Sequence, residues 1–238
     1  RYDHVARHFA EQGHVVCAMD ARGHGRSPGQ RGWVRDYREY VDDFAAFVEL
    51  VRARHAGRPL VVLGHSNGGL IAVRAVQSGL LGAARGLILT SPLIGLRAHR
   101  RAVPDPVAHA LSTLVPRLPV PNGIRSEHLT HDPVLLEAHR TDRRVHKVAT
   151  ARWYWSMTLA TRAALAEAQR VTLPLLVAQA ELDPIVDPAA VAEFHERAGS
   201  SDKRLVLRQG EYHEILNETA RRELFAIISD WVARLVAR

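Results

Sequence analysis

The stretch VVLGHSNGGLIAV, Val61–Val73, decides how the rest of the chain is read. With Leu60 it opens as a short, wholly apolar run, the pattern of a strand buried on both faces. From Asn67 onward the apolar residues recur at helical spacing. Between strand and helix stands one serine with a glycine two residues to either side. A strand that turns at once into a helix strains the backbone at the turn, and bulk nearby would clash. Gly64 and Gly68 are therefore expected to line a nucleophile elbow with Ser66 at its apex. The competing reading is a tight turn that only packs a helix onto a sheet.

Outward from the elbow, strands and helices alternate. Residues 1–12 carry Val5, Phe9 and Tyr2 on one helical face, and Gly13 ends them. HVVCAMD (His14–Asp20) is a short apolar run, followed by the glycine-rich loop Ala21–Gly32. Tyr37–His55 has helical spacing. ARGLILTSP, LPLLVAQA and KRLVLRQG read as further strands, with a helix near Pro188–Arg197 and a last amphipathic helix through Leu224, Phe225, Ile228, Trp231, Val232 and Leu235. Short apolar strands alternating with helices predict an α/β fold: a mostly parallel sheet with helices on both faces. Between Leu93 and Gln169 the alternation stops. A stretch that long does not stay structureless, so 93–169 is expected to be an inserted helical cap between core segments 1–92 and 170–238. Val107, Leu111, Leu114, Val115 and Leu118 form an apolar stripe there, suited to an acyl tunnel, to a face that touches lipid, or to packing on the core.

A nucleophilic serine needs a base, an acid to orient it, and donors for the oxyanion. In open α/β sheets the reacting groups gather beyond the carboxyl ends of the strands. Asp183 follows one strand and His213 the next, giving the order Ser66, Asp183, His213. Glu181 and Asp187 are rival acids, but Asp187 precedes Pro188 and reads as a helix start. His65 flanks the serine and is expected to point away along its strand, a poor base. His4 and His8 share a helical face without a cysteine or carboxylate to complete a metal site, so no metal is expected.

The bulk numbers exclude several classes. Hydrophobic residues make up 47% and charged residues 24%, as in a soluble globular protein. The net charge of +7 is spread along the chain as arginine, with modest clusters at Arg97–Arg101 and Arg140–Lys147. No basic stripe for nucleic acid results, although anionic headgroups or substrates would be attracted. No apolar run is long enough to span a membrane and no signal segment opens the chain. The sequence begins at Arg1 rather than Met, so an incomplete N-terminus, and with it a lost signal peptide, stays open. The single Cys17, within HVVCAMD, is expected to be a buried small hydrophobe.

These residues resemble a known family. RYDHVARHFAEQGHVVCAMDARGHGRSPGQRG, GHSNGG, LILTSPLIGL, AELDPIVDP and EYHEILNE are similar to the monoacylglycerol lipase and lysophospholipase branch of the α/β-hydrolases. The resemblance implies Ser66 as nucleophile, His213 as general base, Asp183 as orienting acid and the Asn67 backbone N–H as one oxyanion donor. It implies a cofactor-free serine esterase for single-acyl lipids, cytoplasmic and touching membranes or lipid aggregates peripherally; no oligomeric state follows. A lysophospholipase or a broad short-chain carboxylesterase are alternatives. Ser66 argues against a haloalkane dehalogenase, which needs Asp there, while a serine haloperoxidase or C–C hydrolase would share the triad. Many relatives have methionine where this chain has Asn67, a change that leaves a backbone donor intact. Relatives also carry, before the residues matching Arg1-Tyr2, a central strand ending in a His-Gly segment with the second oxyanion donor. The expectation is thus that N-terminal strands are missing and that the sequence belongs to a longer reading frame. A non-catalytic fragment or binding protein is the alternative of another class.

Overall fold

Four strands position the elbow: β1 (Leu60–His65), β2 (Ala84–Thr90), β5 (Leu175–Ala180) and β6 (Lys203–Arg208). In the computed structural model, which describes residues 2–97, 103–122, 124–142, 144–145 and 148–237, they form one sheet in the order β1-β2-β5-β6. Every neighbouring pair is parallel. Side chains alternate across a strand, and the sequence fills both faces. Leu87 and Leu89 of β2 and Leu175 and Val177 of β5 face one way, into a core with α2 (Arg38–Arg54), α3 (Asn67–Gln77) and α7 (Pro188–Arg197). Ile88, Leu176 and Ala178 face the other way, against α1 (Asp3–Glu11) and α8 (Arg221–Val236). The α8 residues expected to dock on the sheet, Leu224 through Leu235, are buried there.

The inserted stretch holds α4 (Asp105–Leu114), β3 (Pro119–Pro121), α5 (Pro133–Thr141), β4 (Val148–Thr150) and α6 (Ala151–Ala166), with β3 and β4 antiparallel. Thr150 starts α6 by accepting from the Trp153 N–H. Its hydroxyl also donates to the Gly32 carbonyl at 2.8 Å, joining the insertion to the glycine-rich loop. Met157, Ala160 and Ala164 of α6 share a hydrophobic cluster with Leu70 and Val73 of α3. The second half of the insertion is therefore packed into the core rather than laid over it.

Cys17 corrects the sequence reading: it is exposed, not buried. Val15 and Val16 beside it are 48% and 41% exposed. Residues 14–20 form no strand, and β1 pairs with β2 alone among the described residues. An apolar run is buried only where neighbours cover it, and among the described residues no strand pairs with this one. Of the arginine clusters, residues 98–101 together with Arg143, His146 and Lys147 lie outside the described residues, as does Arg1. Among the described residues no helix is long and apolar enough to cross a membrane.

Candidate active site

Ser66 stands between β1 and α3 at φ 52 and ψ −119. A non-glycine residue held at positive φ stores about 1–3 kcal/mol and persists only where its surroundings fix it. Here its N–H donates to the Thr90 carbonyl at 3.0 Å. Its carbonyl accepts from the Leu70 and Leu93 N–H groups.

The steric demand falls on Gly64 and Gly69, which corrects the expectation for Gly68. A Cβ on Gly64 would stand 2.7 Å from the Gly68 carbonyl oxygen, and one on Gly69 would stand 2.8 Å from Pro92 Cβ. A Cβ on Gly68 meets nothing within 4 Å. Gly64→Ala and Gly69→Ala should each lower stability by about 1–3 kcal/mol through overpacking. Gly68→Ala, inside the first turn of α3, should change it by less than about 1 kcal/mol. Urea midpoints of the three variants check this; a large loss in Gly68→Ala would contradict it.

His213 is carried by the loop after β6 and is buried, 3% exposed. Its Nε2 lies 2.8 Å from Ser66 Oγ and its Nδ1 2.7 Å from Asp183 Oδ2. Asp183 is fully buried after β5. Its Oδ1 accepts from the Ile185 and Val186 N–H groups at 2.8 and 2.9 Å, and Oδ2 also from Gln179 Nε2 at 3.2 Å. Burial alone would raise the Asp183 pKa. The hydrogen bond and charge of His213, with the two backbone donors, outweigh that and hold it below the usual Asp value. An ionised Asp183 accepts only, so Nδ1 of His213 carries the proton and Nε2 is left to accept from the serine hydroxyl. Arg97 Nε donates to the Asp183 carbonyl at 2.8 Å, fixing the same loop from outside.

The rival acids have other work. Glu181 accepts from the Gly210 N–H at 2.9 Å, and Asp187 caps α7 through the Ala189 N–H at 3.1 Å. Asn67 opens α3, where the first N–H groups of a helix lack an intrahelical partner. Its backbone N–H is thus available beside Ser66, and its side-chain Oδ1 accepts from Tyr37 OH at 2.8 Å. His4 and His8 meet the Leu216 carbonyl and the Ser229 hydroxyl. In the cap stripe Val107, Leu114, Val115 and Leu118 are exposed and Leu111 is half-buried. Packing against the interior falls instead to Ala108 and Ser112 of α4, and Val115 and Leu118 lie beyond the end of that helix.

Two features escaped the sequence. His65 does not point away: its ring centroid stands 5.1 Å from that of His213. Glu218, buried, accepts from the Tyr212 N–H at 2.9 Å and the His131 N–H at 3.0 Å, so the loop bearing His213 is tethered to the insertion. The Tyr212 ring stacks on His131, centroids 4.0 Å apart. The only signal was the density of polar residues in EYHEILNE.

Residues 1–220 match the family described as serine aminopeptidase, S33. The chain is 33% identical to a monoacylglycerol lipase of Mycolicibacterium smegmatis over 98% of its own length and 82% of the relative's. A phospholipase of Bacillus subtilis is 30% identical over 94% of the chain and 86% of the relative. Among solved structures, the monoacylglycerol lipase of Paleococcus ferrophilus superposes with a TM-score of 0.89 at 26% identity, covering 100% of this chain and 89% of that one. With the family model matching residues 1–220 and these relatives covered over most of their length, the chain belongs to this hydrolase family, in the monoglyceride lipase branch of the α/β-hydrolase superfamily.

Proposed function

We propose that this chain hydrolyses carboxylic esters of single-acyl lipids, of the monoacylglycerol type, through an acyl-enzyme on Ser66. The observation that carries the reading is the continuous chain Ser66 Oγ, His213, Asp183, with contacts of 2.8 and 2.7 Å at a strained elbow. His213 Nε2 takes the hydroxyl proton as Ser66 Oγ attacks the ester carbonyl. The tetrahedral oxyanion is held by the Asn67 N–H. The C–O bond to the alcohol then breaks and His213 returns the proton to the departing oxygen. A water, deprotonated by the same nitrogen, attacks the acyl-enzyme; the fatty acid leaves and the serine regains its proton. Asp183 holds the imidazole in the required tautomer throughout. None of these steps calls for a cofactor.

The lipid part of the reading draws on relatives named as monoacylglycerol lipase and phospholipase. It also draws on the exposed apolar residues Val107, Leu114, Val115 and Leu118, which suit a face that meets lipid aggregates. The part of the 93–169 insertion before α6 would then act as the substrate cap between core segments 1–92 and 170–238, with α6 anchoring it in the core. Hydrolysis of monooleoylglycerol, a lysophospholipid and a short-chain ester should be compared under one condition. Monooleoylglycerol should show the highest kcat/KM; a lysophospholipid in first place would move the head group, and a short ester in first place would remove the lipid assignment.

A further inference from the structure

The sequence neighbours of the two reacting residues make a second contact beside the first. His65 precedes Ser66, Glu214 follows His213, and His65 Nε2 lies 3.4 Å from Glu214 Oε2. Glu214 is buried and His65 nearly so, their side chains 6% and 9% exposed. The two atoms are close, yet the contact is not a hydrogen bond. Directional bonds to Glu214 Oε2 come from Tyr2 OH and Asn217 Nδ2, each at 2.9 Å. His65 Nδ1 lies 3.1 Å from Thr90 Oγ1 of β2, and its ring also meets those of Tyr2 and His213.

A buried carboxylate is expensive to keep unless it is hydrogen-bonded and faces a cation or a group that can become one. The hydrolytic steps do not use Glu214, because Asp183 already orients the base. What the site lacks is regular structure under His213: residues 209–214 belong to neither helix nor strand. Their backbone must be placed by side-chain anchors. Asp183 holds the imidazole from one side; Glu214 reaches from the next residue to the strand that carries the serine and to the segment before α1. We propose that Glu214, acting with His65, is a positioning residue that sets the approach of His213 to Ser66. The proposal rests on Ser66 being the nucleophile.

The test compares the wild-type protein with Glu214→Gln, His65→Asn, the double variant and Tyr2→Phe, which removes one directional bond without opening a cavity. Ester kcat and KM, the rate of labelling by a fluorophosphonate, and the thermal midpoint are read together. Misplacing a reacting group by about an ångström is enough to slow catalysis roughly 100-fold. Glu214→Gln should therefore lower kcat and the labelling rate by about 10-fold to 100-fold with KM unchanged. Tyr2→Phe should move them the same way by less. The double variant should be no slower than the slower single, as for two residues acting as one unit. Wild-type kcat and labelling in Glu214→Gln, losses that multiply in the double variant, or a fallen midpoint with labelling per folded molecule unchanged would each overturn the proposal. If the wild-type protein itself cleaves no ester and takes no label, the hydrolase reading fails separately. Positioning is then read from the low-field proton resonance of His213 Nδ1: broadening in Glu214→Gln supports it, and an unchanged line overturns it.

Discussion

Ser66→Ala should abolish ester hydrolysis, lowering kcat by about a million-fold, and leave the fold intact. The loss is large because the oxygen that forms the acyl bond is gone, and His213 with the Asn67 N–H cannot supply another. Stability should hardly move. The elbow is fixed by the backbone of residue 66, through the Thr90 carbonyl and the Leu70 and Leu93 N–H groups, and alanine keeps all three bonds. Removing the hydroxyl costs one hydrogen bond at a contact that is only part-buried, so the change should stay within about 1 kcal/mol. Turnover of the preferred ester, labelling by a fluorescent fluorophosphonate and a thermal melt check the three parts. Persisting labelling would mean that another nucleophile reacts; lost solubility would mean that the hydroxyl matters to folding.

Asp183→Asn should cost about 10⁴-fold in kcat at neutral pH through the wrong imidazole tautomer. The surrounding bonds dictate how the amide would sit. Ile185 and Val186 both aim N–H groups at Oδ1, so the amide oxygen is held there. The amide nitrogen must then take the place of Oδ2, 2.7 Å from His213 Nδ1. Two donors cannot face each other, so His213 shifts its proton to Nε2, where it can no longer accept from Ser66. The imidazolium formed during attack also loses its counter-charge. KM should change little, because Asp183 is fully buried and touches no substrate. A kcat loss below about tenfold would show that His213 is oriented by something other than Asp183.

Much of this was legible because the signals were local. β1, β2 and β5 each carry a short apolar run, and the alternation that sends Leu87 and Ile88 to opposite faces is written in consecutive residues. Strand ends then pointed to Asp183 and His213 without any distance being known. The cap stripe was less informative: helical spacing placed five apolar residues together but did not reveal that four of them are exposed.

Other features had no local signal. HVVCAMD is as apolar as the strands, yet hydrophobicity shows that a run can be buried, not that a neighbour exists to bury it; Cys17 is exposed for that reason. The glycine spacing suggested Gly68, but the close approach of Pro92, some two dozen residues on, places the demand at Gly69.

By itself the sequence determined the class of fold, the elbow serine and the order of the residues that face it, because strand periodicity and strand-end position act over a few residues. Only the tertiary structure decided where His65 turns and which distant residues Glu214 and Glu218 meet. Those outcomes depend on groups up to 212 residues apart, as with Tyr2 and Glu214, which meet only after the sheet has formed.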